Sequence, residues 1–271
     1  MKRLEFHYNM TIRFDTPVKD HHFTLKCLPH DEVTQRIEHL EQFVYPNYFI
    51  SHSVDSFFNN CIYGFCRAEH DHFSVDVRGI AVTGIGRRGV YNAPGPEQIL
   101  KYQTDHTAPG EMLTSCHREL SRLYESEAPE PTVSGRTMFY VKWLYEHFPY
   151  ESGATMITTT AEEAFQTGRG VCQDYAHILI SLLRMDRIPC RYVTGMMIGE
   201  GFSHAWVEVL TENGLLAVDP THGRQVDEDY ISIAKGRDYR DCLLNQGVFT
   251  GCGRKALQTQ TIRAEVREIG W

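Results

Sequence analysis

The chain has 271 residues, 42% hydrophobic and 23% charged, with 27 Lys and Arg against 35 Asp and Glu for a formal charge of −8. That length is enough to bury a core in one large domain or two ordinary ones, and the composition is that of a globular protein. The acidic charge is spread along the chain without a basic cluster, which argues against a nucleic-acid or anionic-membrane surface.

No stretch approaches the roughly 18 apolar residues of a spanning helix, and the first turns of sequence lack a signal-peptide core, so an intracellular, cytoplasmic protein is expected. The eight cysteines, at 27, 61, 66, 116, 172, 190, 242 and 252, are irregularly spaced and contain no C-x-x-C pair. They imply buried thiols rather than a disulfide framework. His21-His22 and His70-x-His72 lack further close ligands, so they read as solvated loop or strand ends, and neither a metal nor a cofactor is expected.

Residues 3–14 alternate almost without fault, Leu4, Phe6, Tyr8, Met10, Ile12 and Phe14 against polar neighbours, which predicts a long half-buried strand. Phe73, Val75 and Val77 repeat the pattern, with Cys61–Ala68 read as their hairpin partner and Asp55–Asn60 as a turn. Together these predict an antiparallel β-sandwich over residues 1–88. Gly84-Ile-Gly86-Arg-Arg-Gly89 formally matches G-x-G-x-x-G, but Pro94 and Pro96 follow where a dinucleotide site needs a helix to start. Residues 86–96 read instead as a linker, and 89–271 as a second domain.

Beyond it the period becomes helical, over 111–124 and 135–148, and Thr159-Thr160-Ala-Glu162-Glu163 reads as an N-cap followed by acidic first-turn residues, opening a short third helix. Gly168-Arg-Gly170 gives a tight turn into Val171–Met185, where Ala176, Leu179, Ile180 and Leu183 mark a helix with one buried face ending before Pro189. Cys172 sits in its first turn, where the helix dipole favours a thiolate and free amides can hold an oxyanion. Alone, Cys172 reads more readily as a structural cysteine. His204, opening the strand Ser203–Leu210, and Asp219, ending its hairpin partner, change that reading, because nucleophile, base and orienting acid now follow in order.

The hairpin register is decisive. A tight Asn213-Gly214 turn leaves His204 and Asp219 four positions out of step, roughly 13 Å apart. A four-residue loop, Leu210–Asn213, pairs them directly with Cβ atoms about 5 Å apart. A working triad therefore predicts the wider loop.

Gly170-Val-Cys172-Gln-Asp174-Tyr-Ala, His204-Ala-Trp206-Val-Glu208 and Asp219-Pro220-Thr221-His-Gly223 together resemble the three blocks of the bacterial transglutaminase-like superfamily. Ile188-Pro189-x-Arg191-Tyr-Val, Gly236-Arg237-Asp238-Tyr239 and Asp55-x-Phe57-x-Asn59 resemble its flanking segments. The resemblance implies an α+β fold: an N-terminal antiparallel β-sandwich followed by a papain-like, transglutaminase-like core. It also implies a Cys172–His204–Asp219 triad acting on a peptide or amide substrate through a thioester. Cys190 stands where alanine is usual and reads as structural; His222 replaces a common asparagine close after the acid, where it could touch the site, but reads first as a surface residue. Gln166 is a candidate second oxyanion donor. Hydrolysis is expected, with amine transfer or a non-catalytic peptide-binding scaffold as alternatives; oligomeric state and substrate identity are not legible.

Overall fold

A computed structural model describes residues 1–46, 49–86, 99–127, 131–252 and 256–271; beyond Gly86 the expected linker, and Arg87–Gly89 of the glycine motif, lie outside them. Two antiparallel sheets and four helices make up the described chain. The first sheet has eight strands: β1 (Lys2–Leu25), β2 (Gln35–Tyr45), β3 (Phe49–Val54), β4 (Asn60–Cys66) and β5 (His70–Thr83), joined from far along the chain by β7 (Gly199–Gly201), β12 (Asn245–Gly251) and β13 (Gln258–Ile269).

The alternation in β1 is expressed as expected, with Leu4, Phe6, Tyr8, Met10, Ile12 and Phe14 all buried. Its length explains two departures. First, β4 is not the hairpin partner of β5. Both lie antiparallel to β1 on one flank, β5 against residues 2–13 and β4 against 21–25, so they follow one another along β1 instead of pairing. Secondly, β13 and β12 occupy the other flank in the same succession. The division at 88 and 89 is corrected accordingly: the N-terminal sheet takes three strands from the later residues, and one hydrophobic cluster runs from Leu4 through Ile178 to Ile231.

The histidine pairs also differ from expectation. His21 and His70 are 3% and 8% exposed, and His21 Nδ1 lies 3.1 Å from His70 Nε2 among Phe14, Phe23, Phe73 and Phe249. Their neighbours His22 and His72 are more open: His22 because successive residues alternate faces on a strand, His72 because the β1–β5 register shifts between its partner Arg13 and Val18, the partner of His70.

The second sheet has the order β10 (Arg224–Gln225), β9 (Gly214–Asp219), β8 (His204–Thr211), β6 (Cys190–Met197), β11 (Tyr230–Gly236). Its edge strand β11 would present unpaired backbone groups. Two buried amides from the first sheet's side of the molecule meet them. Asn59 accepts from the Lys235 N–H at 2.7 Å and donates to its carbonyl at 2.8 Å. Gln35 does the same at Ser232, both at 2.9 Å. Alongside, Lys235 pairs with Glu208, and with Glu32, and Arg191 pairs with Glu208 at 2.7 Å. Compensated in this way, the buried charges become a polar clamp between the sheets.

Helices α1 (Glu111–Glu127), α2 (Val133–His147) and α3 (Ala161–Thr167) surround α4 (Cys172–Met185), which packs against β8 and β6. Instead of one buried face, α4 is buried on all sides from Gln173 to Arg184, because the other helices cover what the sheet leaves. Two of its buried polar residues tie it to its surroundings: His177 accepts from the Tyr239 N–H at 3.1 Å, and Arg184 donates to carbonyls of Leu100, Cys190 and Arg237 and to the Thr107 hydroxyl. α3 carries the expected capping box between Thr160 and Glu163. Among the described residues, no helix is long and apolar enough to cross a membrane.

Candidate active site

Cys172 is the first residue of α4, half-buried, with Val171 as N-cap. The turn before it depends on two glycines. Gly168 ends α3 at φ 72°, a left-handed conformation suited to glycine. At Gly170 a Cβ would come within 2.5 Å of the Asp174 carboxylate, which is already occupied by the Val171 N–H at 2.7 Å and the Thr155 hydroxyl at 2.6 Å. Asp174 thus takes one of the helix's free amide donors and leaves the Cys172 N–H, at the first position, outside the helical ladder.

His204 opens β8 and Asp219 closes β9, as expected. The loop between them is neither of the two considered. Thr211 pairs with Gly214, so a two-residue Glu212-Asn213 turn closes the hairpin one position earlier than Asn213-Gly214 would. The predicted four-residue loop is therefore wrong. Continuing the register, Asp219 falls opposite Trp206, two residues from His204 on the same face. Such diagonal neighbours are about 7–8 Å apart at the backbone, within reach of an imidazole and a carboxylate. The side chains do meet: His204 Nε2 lies 2.7 Å from Asp219 Oδ2. With Nε2 occupied, Nδ1 is the ring nitrogen left free, and Cys172 lies close enough to His204 to favour its charged form.

Asp219 is fully buried and receives five hydrogen bonds. Oδ2 accepts from His204, from His222 Nδ1 at 2.7 Å and from the Tyr230 hydroxyl at 2.8 Å; Oδ1 accepts from the Thr221 and His222 amides at 2.9 and 3.2 Å. Burial alone would raise its pKa. The two histidines outweigh that and hold the carboxyl well below the usual range. At His204 burial works against the charged ring, but the hydrogen bonds to Asp219 and Cys172 raise its pKa to about 10. The environment therefore favours an imidazolium beside the Asp219 carboxylate. Tyr150, Tyr192 and Tyr239 border the thiol; burial and then the charge of Cys172 raise the phenols of Tyr150 and Tyr192.

The structure thus gathers Cys172, His204 and Asp219 into one site. It adds Tyr230, which sequence reasoning missed, and His222, for which a surface role was preferred to contact with the site. The Asp-x-x-His spacing of 219 and 222 was the available signal for His222, since a side chain three residues on can turn back to a carboxylate that ends a strand; nothing local marked Tyr230, eleven residues away. Gln166 is not in the site: it is exposed and its amide is held by Glu162 at 3.2 Å. Cys190 is buried against the Ile180 carbonyl, and burial raises its thiol to about 11, as befits a structural cysteine.

Two family models match successive parts of the chain. Residues 122–220 match the family described as the Transglutaminase-like superfamily, and residues 4–82 match the Bacterial transglutaminase-like N-terminal region. An uncharacterized protein of Mycobacterium leprae is 37% identical over 122 residues, covering 41% of this chain and 43% of that protein. One of Mycobacterium bovis is 37% identical over 121 residues, covering 39% and 38%. The match thus spans about two fifths of these curated relatives. A crystal structure from Cytophaga hutchinsonii, of a protein named a "Putative Cysteine Protease", aligns over 100% of this chain and 91% of its own with a TM-score of 0.77; at 19% identity it is similar in fold. The chain belongs to the transglutaminase-like superfamily, its core preceded by the N-terminal region found in the bacterial members.

Proposed function

We propose that the protein is a cysteine-dependent amide hydrolase, acting on a peptide or amide through a Cys172–His204–Asp219 triad. One observation carries the reading: His204 is held through Nε2 by a buried, fully hydrogen-bonded Asp219, which presents Nδ1 to a cysteine in the first turn of a helix. Family membership supports the class of chemistry.

In this mechanism His204 holds the proton of Cys172 as an imidazolium. The thiolate attacks the amide carbon, forming a C–S bond while the carbonyl π electrons move to oxygen. The backbone N–H of Cys172 stabilises that oxyanion. Collapse breaks the C–N bond; the amine leaves with the proton from His204, and a thioester remains. His204 then takes a proton from water, hydroxide adds to the thioester, and the thiolate departs to restore the pair. Asp219 keeps the ring in the required tautomer throughout.

The test is the rate of iodoacetamide labelling at pH 6. Cys116 and Cys252 have comparable partial exposure, but burial raises Cys116 to about 11, and desolvation and Glu69 raise Cys252. Cys172 should label at least about tenfold faster than either, and His204→Ala should remove that advantage. Equal rates for the three cysteines would sink the reading. Peptide amides incubated with and without a primary amine should give mainly carboxylate product in both; predominance of the transfer product would replace hydrolysis by acyl transfer.

A further inference from the structure

Asp219 Oδ2 receives two imidazole nitrogens from opposite directions in sequence, His204 Nε2 and His222 Nδ1, each at 2.7 Å, and all three atoms lie within 4.8 Å of one another. The triad requires the first of these contacts and has no use for the second. An amide N–H at position 222 would orient the carboxylate equally well, whereas an imidazole adds a nitrogen lone pair. We propose that His204, Asp219 and His222 form a binding site for one divalent transition-metal ion of the zinc type, whose occupancy excludes catalysis.

The donor set is one that zinc takes, two imidazole nitrogens and a carboxylate oxygen, with a fourth position left for water. Metal–ligand bonds of about 2.0–2.2 Å in a tetrahedron place ligand atoms about 3.3 Å apart. The two 2.7 Å contacts therefore need to open by about 0.6 Å, with the ion replacing the two bridging protons. The surroundings permit this without loss of the carboxylate's position. Its Oδ1 stays bonded to the Thr221 and His222 amides, and Tyr230 remains a donor to the coordinated oxygen. Access is from the His222 side, whose side chain is 42% exposed while those of His204 and Asp219 are 11% and 0% exposed.

The consequence for the triad follows from the ring's two nitrogens. An ion on Nε2 separates His204 from Asp219 and leaves the ring's one proton on Nδ1, with no lone pair there to accept the proton of Cys172. This regulatory half rests on the function proposed above; the binding half does not, and the experiment keeps them apart. In a Cys172→Ala chain, which has no thiol at the site, Co2+ alone is titrated and followed by its d–d absorption and by calorimetry. One ion per chain is expected, with affinity falling at least tenfold in Cys172→Ala/His222→Asn, where asparagine retains an N–H for Asp219 but offers no imidazole. Absence of binding, or equal binding by the two chains, overturns the site. In the unsubstituted chain Zn2+ should slow labelling of Cys172 at least tenfold and EDTA should restore it; His222→Asn labelling should be insensitive to Zn2+. Binding without slowed labelling overturns the regulatory half.

Discussion

The molecule holds two pairs of histidines with a cysteine beside each, and their electrostatics are opposite. At His204 and His222 both rings converge on a carboxylate, and His204 is pushed up to about 10. At His21 and His70 the rings face each other at 3.1 Å, with Cys66 Sγ 3.7 Å from His70 and phenylalanines around them. There burial and then His70 push His21 down to about 4. His21 and His204 are both largely removed from water, so burial alone does not separate them. A single carboxylate, itself supplied with five donors, converts a desolvated imidazole from a group that refuses a proton into one that keeps it.

The contrast is most severely tested by removing that charge. Asp219→Asn preserves shape and most hydrogen bonds but leaves His204 without its counter-ion and free to adopt the wrong tautomer. A loss on the order of 10,000-fold in kcat on a peptide amide is expected; retention of more than a tenth of the activity would take Asp219 out of the chemistry.

Next in size is the pH dependence of stability, which should have opposite signs at the two sites. His21 has a folded pKa below its ordinary 6.5, so the unfolded chain binds more protons and stability is lost as pH falls from 6.5 towards 4. His204 has a folded pKa above 6.5, so its contribution is complete below that pH and is lost as pH rises through about 10. In urea unfolding, His21→Leu should remove roughly 3 kcal/mol of the acid-side loss. His204→Ala should flatten the alkaline side alone. If either substitution altered the opposite limb, the assignment of the two limbs would fail.

The smallest effect is expected from Tyr230→Phe, which removes one of the three donors to Asp219 Oδ2 and leaves both histidines in place. A neutral donor to a charged acceptor is worth about 1.5–3 kcal/mol. The remaining contacts should hold the rate loss to about tenfold. A loss equal to that of Asp219→Asn would show that the phenol, rather than the two rings, fixes the acid.

How far these features were legible in the sequence depends on the range of the interaction. The β1 alternation, the Thr160 cap, the glycine turn before Cys172 and the strand positions of His204 and Asp219 are set by neighbours within a few residues, and each emerged from the sequence as found. The hairpin turn failed because Cβ-to-Cβ pairing was taken as the condition for contact; an imidazole and a carboxylate bridge the diagonal instead, allowing a shorter loop. His21 was misjudged because strand polarity was read without knowing that β12 and its Phe249 would cover that face. The contact of Tyr230 with Asp219, strand β12 and the pairing of β13 with β1 were out of reach for one reason: these partners are set by tertiary closure, which leaves no local spacing to recognise.

That closure carries its own consequence for how the chain folds. Arg3 pairs with Ile269 and Phe14 with Gln258, so a strand made among the first residues gains its second flank from some of the last. Contacts of such sequence separation raise contact order and slow the search for the native state. During vectorial synthesis one whole edge of β1, about a dozen residues long, stays open for hydrogen bonding while the thiol-bearing helix and its sheet emerge. A nascent chain of this design is exposed to strand-to-strand association until its final strand docks.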